Sequence, residues 1–191
     1  NAVGDISTAG TDSARDAAFL ESCGFNPDGS RNASFPIWCD PSNNADYFIT
    51  NWYGGNSDWP NKNYYGGIDT QPTRTGYKYF MWDSEWSLFL RSNTNYNRIT
   101  DYRGIADPNR HLQQSPEYRV RFGDRVHKHH FNGGALMSEN NIQRWTYRTD
   151  ELDVAVIAES ARWGDYRRDV HSYSSGPYYL YTKNEFWIPE R

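Results

Sequence analysis

The chain has 191 residues, 37% hydrophobic and 23% charged, enough for a domain with a sizeable core and neither a disordered nor a membrane composition. Its net charge of −4 gives no general pull toward nucleic acid or anionic membrane, so no nucleic-acid partner is expected. No run of about 18 apolar residues occurs, so no membrane span is expected.

Aromatic residues reach 17%, with 15 Tyr and 8 Trp, which predicts a core built from rings rather than aliphatic side chains. The chain begins with Asn rather than Met, which reads as a processed or truncated start. Residues 1–11 are small and polar and are expected to be frayed or extended. Asp12 or Ser13 can cap a helix running to about Ser22, packed through Ala17, Ala18, Phe19 and Leu20. Residues 24–43 form a Pro/Gly/Asn-rich excursion pinned by Phe25, Phe35, Ile37 and Trp38. Cys23 and Cys39 leave two readings open, one disulfide or two unpaired buried thiols. A single Asn32-Ala33-Ser34 triplet fits the glycosylation acceptor pattern, and one is expected by chance. A secreted or cell-surface location is compatible with these features, and none of them fixes it.

Ser42 or Asn43 is the expected cap of a second helix. Its apolar stripe is Tyr47, Phe48, Trp52 and Tyr53, and Gly54-Gly55 ends it. After a loop opened by Asp58-Trp59-Pro60, Asn63-Tyr64-Tyr65 begins a short strand. Tyr77 to Trp82 reads as the better strand, aromatic on both faces and ending at Asp83. Trp86, Leu88, Phe89 and Leu90 continue the apolar character as a helical turn. Residues 91–115 are polar with no firm period and read as a long surface segment. Ser115-Pro116-Glu117 starts a helix to Phe131, stopped by Asn132-Gly133-Gly134. A further helix is expected from Glu139 to Arg162, burying Ile142, Trp145, Leu152, Ala155 and Val156, with Arg148 toward solvent. Two short strands cannot make a sheet core. The fold class is therefore α+β, a mainly helical body with a short β-hairpin.

Chemistry concentrates in residues 51–86. Asn56, Asp58, Lys62 and Asn63 form a compact polar cluster, and the aromatic strand delivers Asp83 and Glu85. An acid and an amide five residues apart on a loop, faced by a second acid across a hairpin, suit a hard divalent cation completed by phosphate oxygens. Elsewhere His127, His129 and His130 share a helix without a completing ligand pattern. His111 lies beside Asp107 and Arg110. The arginines from 119 onward alternate with acids and read as surface pairs.

These stretches resemble the CotH kinase-like family, spore-coat-type relatives of the protein kinases. The matching residues are Ala45-Asp46-Tyr47-Phe48, Asn51, Gly55-Asn56-Ser57-Asp58-Trp59, Lys62-Asn63, Phe80 to Leu88, Ser115 to Arg119, His130 to Leu136 and Glu159 to Asp165. The likeness covers roughly residues 42–168. It implies the C-terminal lobe of a protein-kinase-like fold, with 1–41 as a peripheral segment and 169–191 as an aromatic-rich tail, the whole chain being one partial domain. It implies ATP-dependent phosphorylation of protein Ser/Thr hydroxyls. Asp58 would orient the hydroxyl, Lys62 would balance charge, and Asn63 and Asp83 would hold Mg²⁺ or Mn²⁺ with Glu85 as a further ligand. The pattern departs from other kinases: no His-Arg precedes Asp58, and Ser-Glu rather than Phe-Gly follows Asp83. Residues before Asp58 contain no lysine and no glycine-rich strand–loop–strand pattern, so a nucleotide-binding N-terminal lobe is expected from further polypeptide.

Two other readings belong to different classes. Asp58 with Asp83 or Glu85 can serve as a glycosidase acid pair, with Trp52, Trp59, Trp82 and Trp86 stacking on sugar rings. A non-catalytic structural or interaction module would use the same Tyr/Trp-rich surface.

Overall fold

The computed structural model describes residues 2–71, 73–88, 97–170 and 178–191. The chain is mainly helical with one small antiparallel hairpin. It divides into two compact units, residues 1–128 and 129–191.

The first unit opens with helix α1 (Ala2–Thr8), where a frayed or extended start was expected. Ile6 is fully buried and Val3 packs on the same cluster, so tertiary burial stabilises about two helical turns that local propensity alone would not. Helix α2 (Asp12–Ser22) is capped by Thr11 rather than Asp12 or Ser13: the Thr11 hydroxyl accepts the Ala14 N–H at 3.2 Å. Helix α3 (Pro41–Gly54) also starts earlier than Ser42 or Asn43 suggested. Asp40 is its cap, accepting the Asn43 N–H at 3.0 Å, and Pro41 fills the first turn. Gly55, at φ 58°, ends it as expected.

Strands β1 (Tyr64–Gly67) and β2 (Lys78–Met81) pair antiparallel with Tyr64 opposite Met81 and Gly67 opposite Lys78. The segment read as structureless up to residue 115 contains a 3₁₀ turn at Gly104–Ala106 and helix α4 (Asp107–Leu112). Ala106 and Leu112 bury on the core and anchor it. The expected turn at Phe89 and Leu90, residues 91–96 of that segment and 171–177 of the tail lie outside the described residues. Helix α5 (Pro116–His130) begins where predicted. Ser115 Oγ accepts the Tyr118 N–H at 3.2 Å and donates to Asp16 Oδ1 at 2.6 Å, tying the cap to α2.

Two buried clusters form the core of this unit. One gathers Ile6, Phe19, Leu20, Cys23, Cys39, Leu112 and Tyr118. The other gathers Tyr47, Phe48, Trp59, Tyr79 and Ala106, and Phe122 packs against both. The rings meet mostly edge to face, as in the Phe48–Trp59 pair at 5.4 Å and 69°. The prediction of a ring-built core therefore holds for the second cluster, while the first mixes rings with aliphatic side chains. Cys23 and Cys39 are both unpaired and buried, which selects the thiol reading over the disulfide. They hydrogen-bond to each other. Donation to Cys23 and burial push the Cys39 thiol well above its ordinary value. The Tyr118 hydroxyl lies within hydrogen-bond reach of both Asn44 Oδ1 and Asn109 Oδ1, the latter at 2.8 Å. One phenolic proton serves one of these acceptors at a time.

In the second unit, the single helix expected over 139–162 is two helices, α6 (Ser138–Leu152) and α7 (Ala155–Trp163). Asp153 sits at the break and accepts from Lys183 Nζ at 2.6 Å and Arg191 Nη1 at 3.0 Å. The apolar stripe expected to be buried is mostly exposed, with Ile142 at 65% and Trp145 at 54%, while Val156 is half-buried. Arg148 faces solvent and pairs with Glu151 at 2.6 Å, as expected. After a π-helical turn at Tyr166–Val170, the tail gathers Tyr179, Tyr181 and Phe186 into a ring cluster. A second such turn at Lys183–Trp187 leads into the short helix α8 (Ile188–Glu190).

Candidate functional site

The site is assembled on a frame of buried amides. Asn51, inside α3, donates from Nδ2 to the Tyr47 carbonyl at 3.0 Å, and its Oδ1 accepts from Asn56 Nδ2 at 3.0 Å. Asn56 is fully buried, and its Oδ1 accepts the Asp58 N–H at 3.2 Å. Trp59 is fully buried and its indole N–H donates to the Tyr47 hydroxyl at 2.8 Å. The Trp59–Pro60 peptide is cis. The loop carrying Asp58 is thus clamped from both sides by groups that have left water.

Asp58 and Asn63 meet directly: Asn63 Nδ2 donates to Asp58 Oδ2 at 2.7 Å. Because the amide NH₂ is committed to Asp58, the amide oxygen of Asn63 points elsewhere and can serve a cation. Asn63 adopts φ 51° and Asp83 φ 49°, the left-handed region that L-residues other than Gly enter seldom, Asn and Asp most readily.

The hairpin register explains how Asp83 reaches this place. Tyr64 lies opposite Met81, so Asn63, just before β1, and Asp83, just after Trp82, leave the same end of the hairpin. The chain beyond Asp83 is then pulled back to the Asp58 loop. Ser57 N–H donates to the Trp86 carbonyl at 3.0 Å, Ser57 Oγ to the same carbonyl at 3.2 Å, and Leu88 N–H to Gly54 O at 2.8 Å. Residues 83–85 therefore span the short gap between a point beside Asn63 and a point beside Asp58. Asp83 and Glu85 are exposed there, and Lys62 is exposed between Asp58 and Asn63 in the chain.

The residues present fit a hard cation in one specific sense. Among the described residues no three His, Cys, Asp or Glu side chains gather as a metal cage, and that includes the histidines of α5. The oxygens on offer are the Asn63 amide and the Asp83 carboxylate, with Glu85 nearby. Mg²⁺ is commonly held by one or two carboxylates with phosphate and water completing its shell. The donor set suits an ion that arrives with phosphates and does not suit an all-protein site.

Two features went unread in the sequence. Arg98 donates to the Ser57 carbonyl and to Asp101 Oδ2, the latter at 2.7 Å, steadying the Asp58 loop from the polar segment. The Arg98–Asp101 spacing of a turn was its only sequence signal. Secondly, the outer face of the hairpin carries three exposed rings in contact: Tyr65 lies 5.7 Å from Phe80 and 5.9 Å from Trp82. Of the four tryptophans assigned to sugar stacking, Trp59 is buried and cannot stack on a ligand ring, Trp52 is half-buried against Phe48 and Phe122, Trp86 is half-buried and Trp82 is exposed. Compared with models of known protein families, with curated proteins and with solved structures, the chain matches none of them.

Proposed function

We propose that the chain carries the catalytic and metal-binding loops of a phosphoryl-transfer site, in a protein-kinase-like domain of the CotH type. The observation that carries this reading is the Asp58–Asn63 pair at 2.7 Å, with Asp83 returned to the same hairpin end. Protein kinases place an aspartate and an asparagine five positions apart on one loop and a second aspartate farther on. Here the spacing Asp58…Asn63 is the same, and a hairpin separates it from Asp83.

The roles follow from the contacts. Asp58, oriented by Asn63, accepts the hydrogen bond of a Ser or Thr hydroxyl and aims it at the phosphorus. Asn63 Oδ1 and Asp83 would hold Mg²⁺ or Mn²⁺, which when bound would neutralise charge on the phosphates. Glu85 and Lys62 are exposed and of opposite charge. The rings of Tyr65, Phe80 and Trp82, tilted at 42° and 37°, begin next to Asn63 and Asp83 in the chain and offer an apolar aromatic surface for a planar base.

Cationic groups for the phosphates are scarce before Asp58. Arg15 and Arg31 are the basic residues there, and they are engaged with Asp12 and with the carbonyls of Gly24 and Asn32. The reading therefore calls for a nucleotide-binding lobe from additional polypeptide.

The test is phosphate transfer from radiolabelled ATP to a Ser/Thr-rich protein by the full-length natural product with Mg²⁺. Asp58→Asn should lower the rate about 100-fold or more, the range for loss of a positioned acid–base group, and Asp83→Asn should raise the Mg²⁺ concentration needed for half-maximal transfer about tenfold or more. Full-length material that transfers no phosphate, or an Asp58→Asn variant as active as the wild type, would overturn the reading.

A further inference from the structure

Away from the Asp58 loop, the first unit carries a half-open cavity of about 590 Å³ between α1, the turn and helix at 104–112, and strand β2. Small-molecule sites run to about 300–1,000 Å³ and are mostly apolar with a few polar groups. None of Asp58, Lys62, Asn63, Asp83 or Glu85 lines this volume.

The walls state what it can hold. Trp38, Tyr77 and Tyr79 present rings, and Ile105 presents an aliphatic side chain. The ionisable groups in the wall are already committed to the protein. Asp40 Oδ1 accepts the Asn43 N–H at 3.0 Å and Oδ2 is ion-paired with Lys78, while the Cys39 thiol is hydrogen-bonded to Cys23. Within the wall a charged ligand would lose its hydration for a carboxylate already paired, and the Arg74 guanidinium lies at the rim, over Trp38, rather than in the lining. Trp38 is 44% exposed, with the Arg74 guanidinium 4.1 Å from its ring centre, so the cavity reaches solvent at that ring.

From this cavity we propose a second binding site, for an uncharged, ring-bearing apolar small molecule, bounded by Trp38, Tyr77, Tyr79 and Ile105 and floored by the Cys39 thiol. The inference goes beyond the phosphoryl-transfer reading and does not rest on it. Entry is past Trp38, and occupation covers Cys39.

The test is titration of the whole chain with N-phenyl-1-naphthylamine, an uncharged fluorescent aromatic probe. The expected result is a saturable rise in fluorescence at one probe per chain. Saturation should also shift the NMR signals of the Tyr77, Tyr79 and Ile105 side chains. Ile105→Trp, which fills the volume from its partly buried wall, should weaken the probe at least tenfold while circular dichroism keeps its helical signal. Should Ile105→Trp fail to fold, the shifts of the wild-type Tyr77, Tyr79 and Ile105 signals decide the question. Absence of saturable binding, unchanged affinity in folded Ile105→Trp, or a probe that leaves these signals unmoved and is lost on Trp82→Ala would each overturn the proposal.

Discussion

Asn56 shows at the level of single residues how the candidate site is held. Its amide joins Asn51 in α3 to the backbone of Asp58, and it has no access to water. Truncation to alanine leaves Asn51 Oδ1 and the Asp58 N–H with a partner missing. Asn56→Ala should therefore cost about 1–3 kcal/mol of stability, read as a fall in the urea midpoint. Asp58→Asn keeps an acceptor for Asn63 and should change stability by less than about 1 kcal/mol; an equal loss in both variants would show that Asn56 is no strut. The polar cluster of Asn56, Asp58, Lys62 and Asn63 was legible in the sequence because these residue types crowd one short loop. Which of them is buried and which faces solvent was not, since that depends on Tyr47 and Met81, from other elements, closing over Asn51. Trp59 was misread for the same reason: an indole beside a proline in a loop gives no local sign that its N–H meets Tyr47.

At the scale of elements, α3, the hairpin and the start of α5 were read close to their observed bounds because each carries its own punctuation in Gly and Pro. Caps were displaced by one to three residues where several Thr, Ser, Asp and Asn stood in line and only three-dimensional reach decides which accepts an amide. The break between α6 and α7 had no local sign; Asp153 is held by Lys183 and Arg191, contacts from far along the chain. The segment 97–103 was read as an unstructured surface, yet it steadies the Asp58 loop through an ion-paired turn. Asp101 is only 13% exposed between Arg98 and Arg103. The Arg103 guanidinium holds its carboxyl down to about 2 from an ordinary 3.8, with Arg98 adding to the effect against the opposing cost of burial. A carboxyl lowered by folding contributes stability that is fully present above about pH 4 and is lost as pH falls through about 2. Since Arg103 is well exposed and screened by water, the contribution should be about 1–2 kcal/mol. Urea midpoints measured from pH 5 to pH 2 should fall more steeply for the wild type than for Asp101→Asn, and parallel slopes would remove Asp101 from the account.

At the scale of the molecule, the first unit holds the whole candidate site and both core clusters, while the second is a separate compact unit. The order of the expected elements anticipated the predominance of helix, and composition, with 17% aromatic residues, anticipated the ring-rich packing. It gave no hint that α6 and α7 would leave Ile142, Trp145 and Ile157 exposed, because an apolar stripe states that a helix can be covered and is silent on whether its own chain covers it. The central claim is that Asn63 and Asp83 together hold a divalent ion that comes with phosphate. Its most direct test is the paramagnetic broadening of amide and aromatic-ring signals by Mn²⁺ with ATP, read by NMR on the isotope-labelled full-length natural product. The account predicts broadening centred on residues 62–64 and 83–85, spreading to the Tyr65 and Trp82 rings, and its loss in Asp83→Asn. Broadening centred on the acids Asp150, Glu151 and Asp153, or a pattern unchanged by Asp83→Asn, would contradict it.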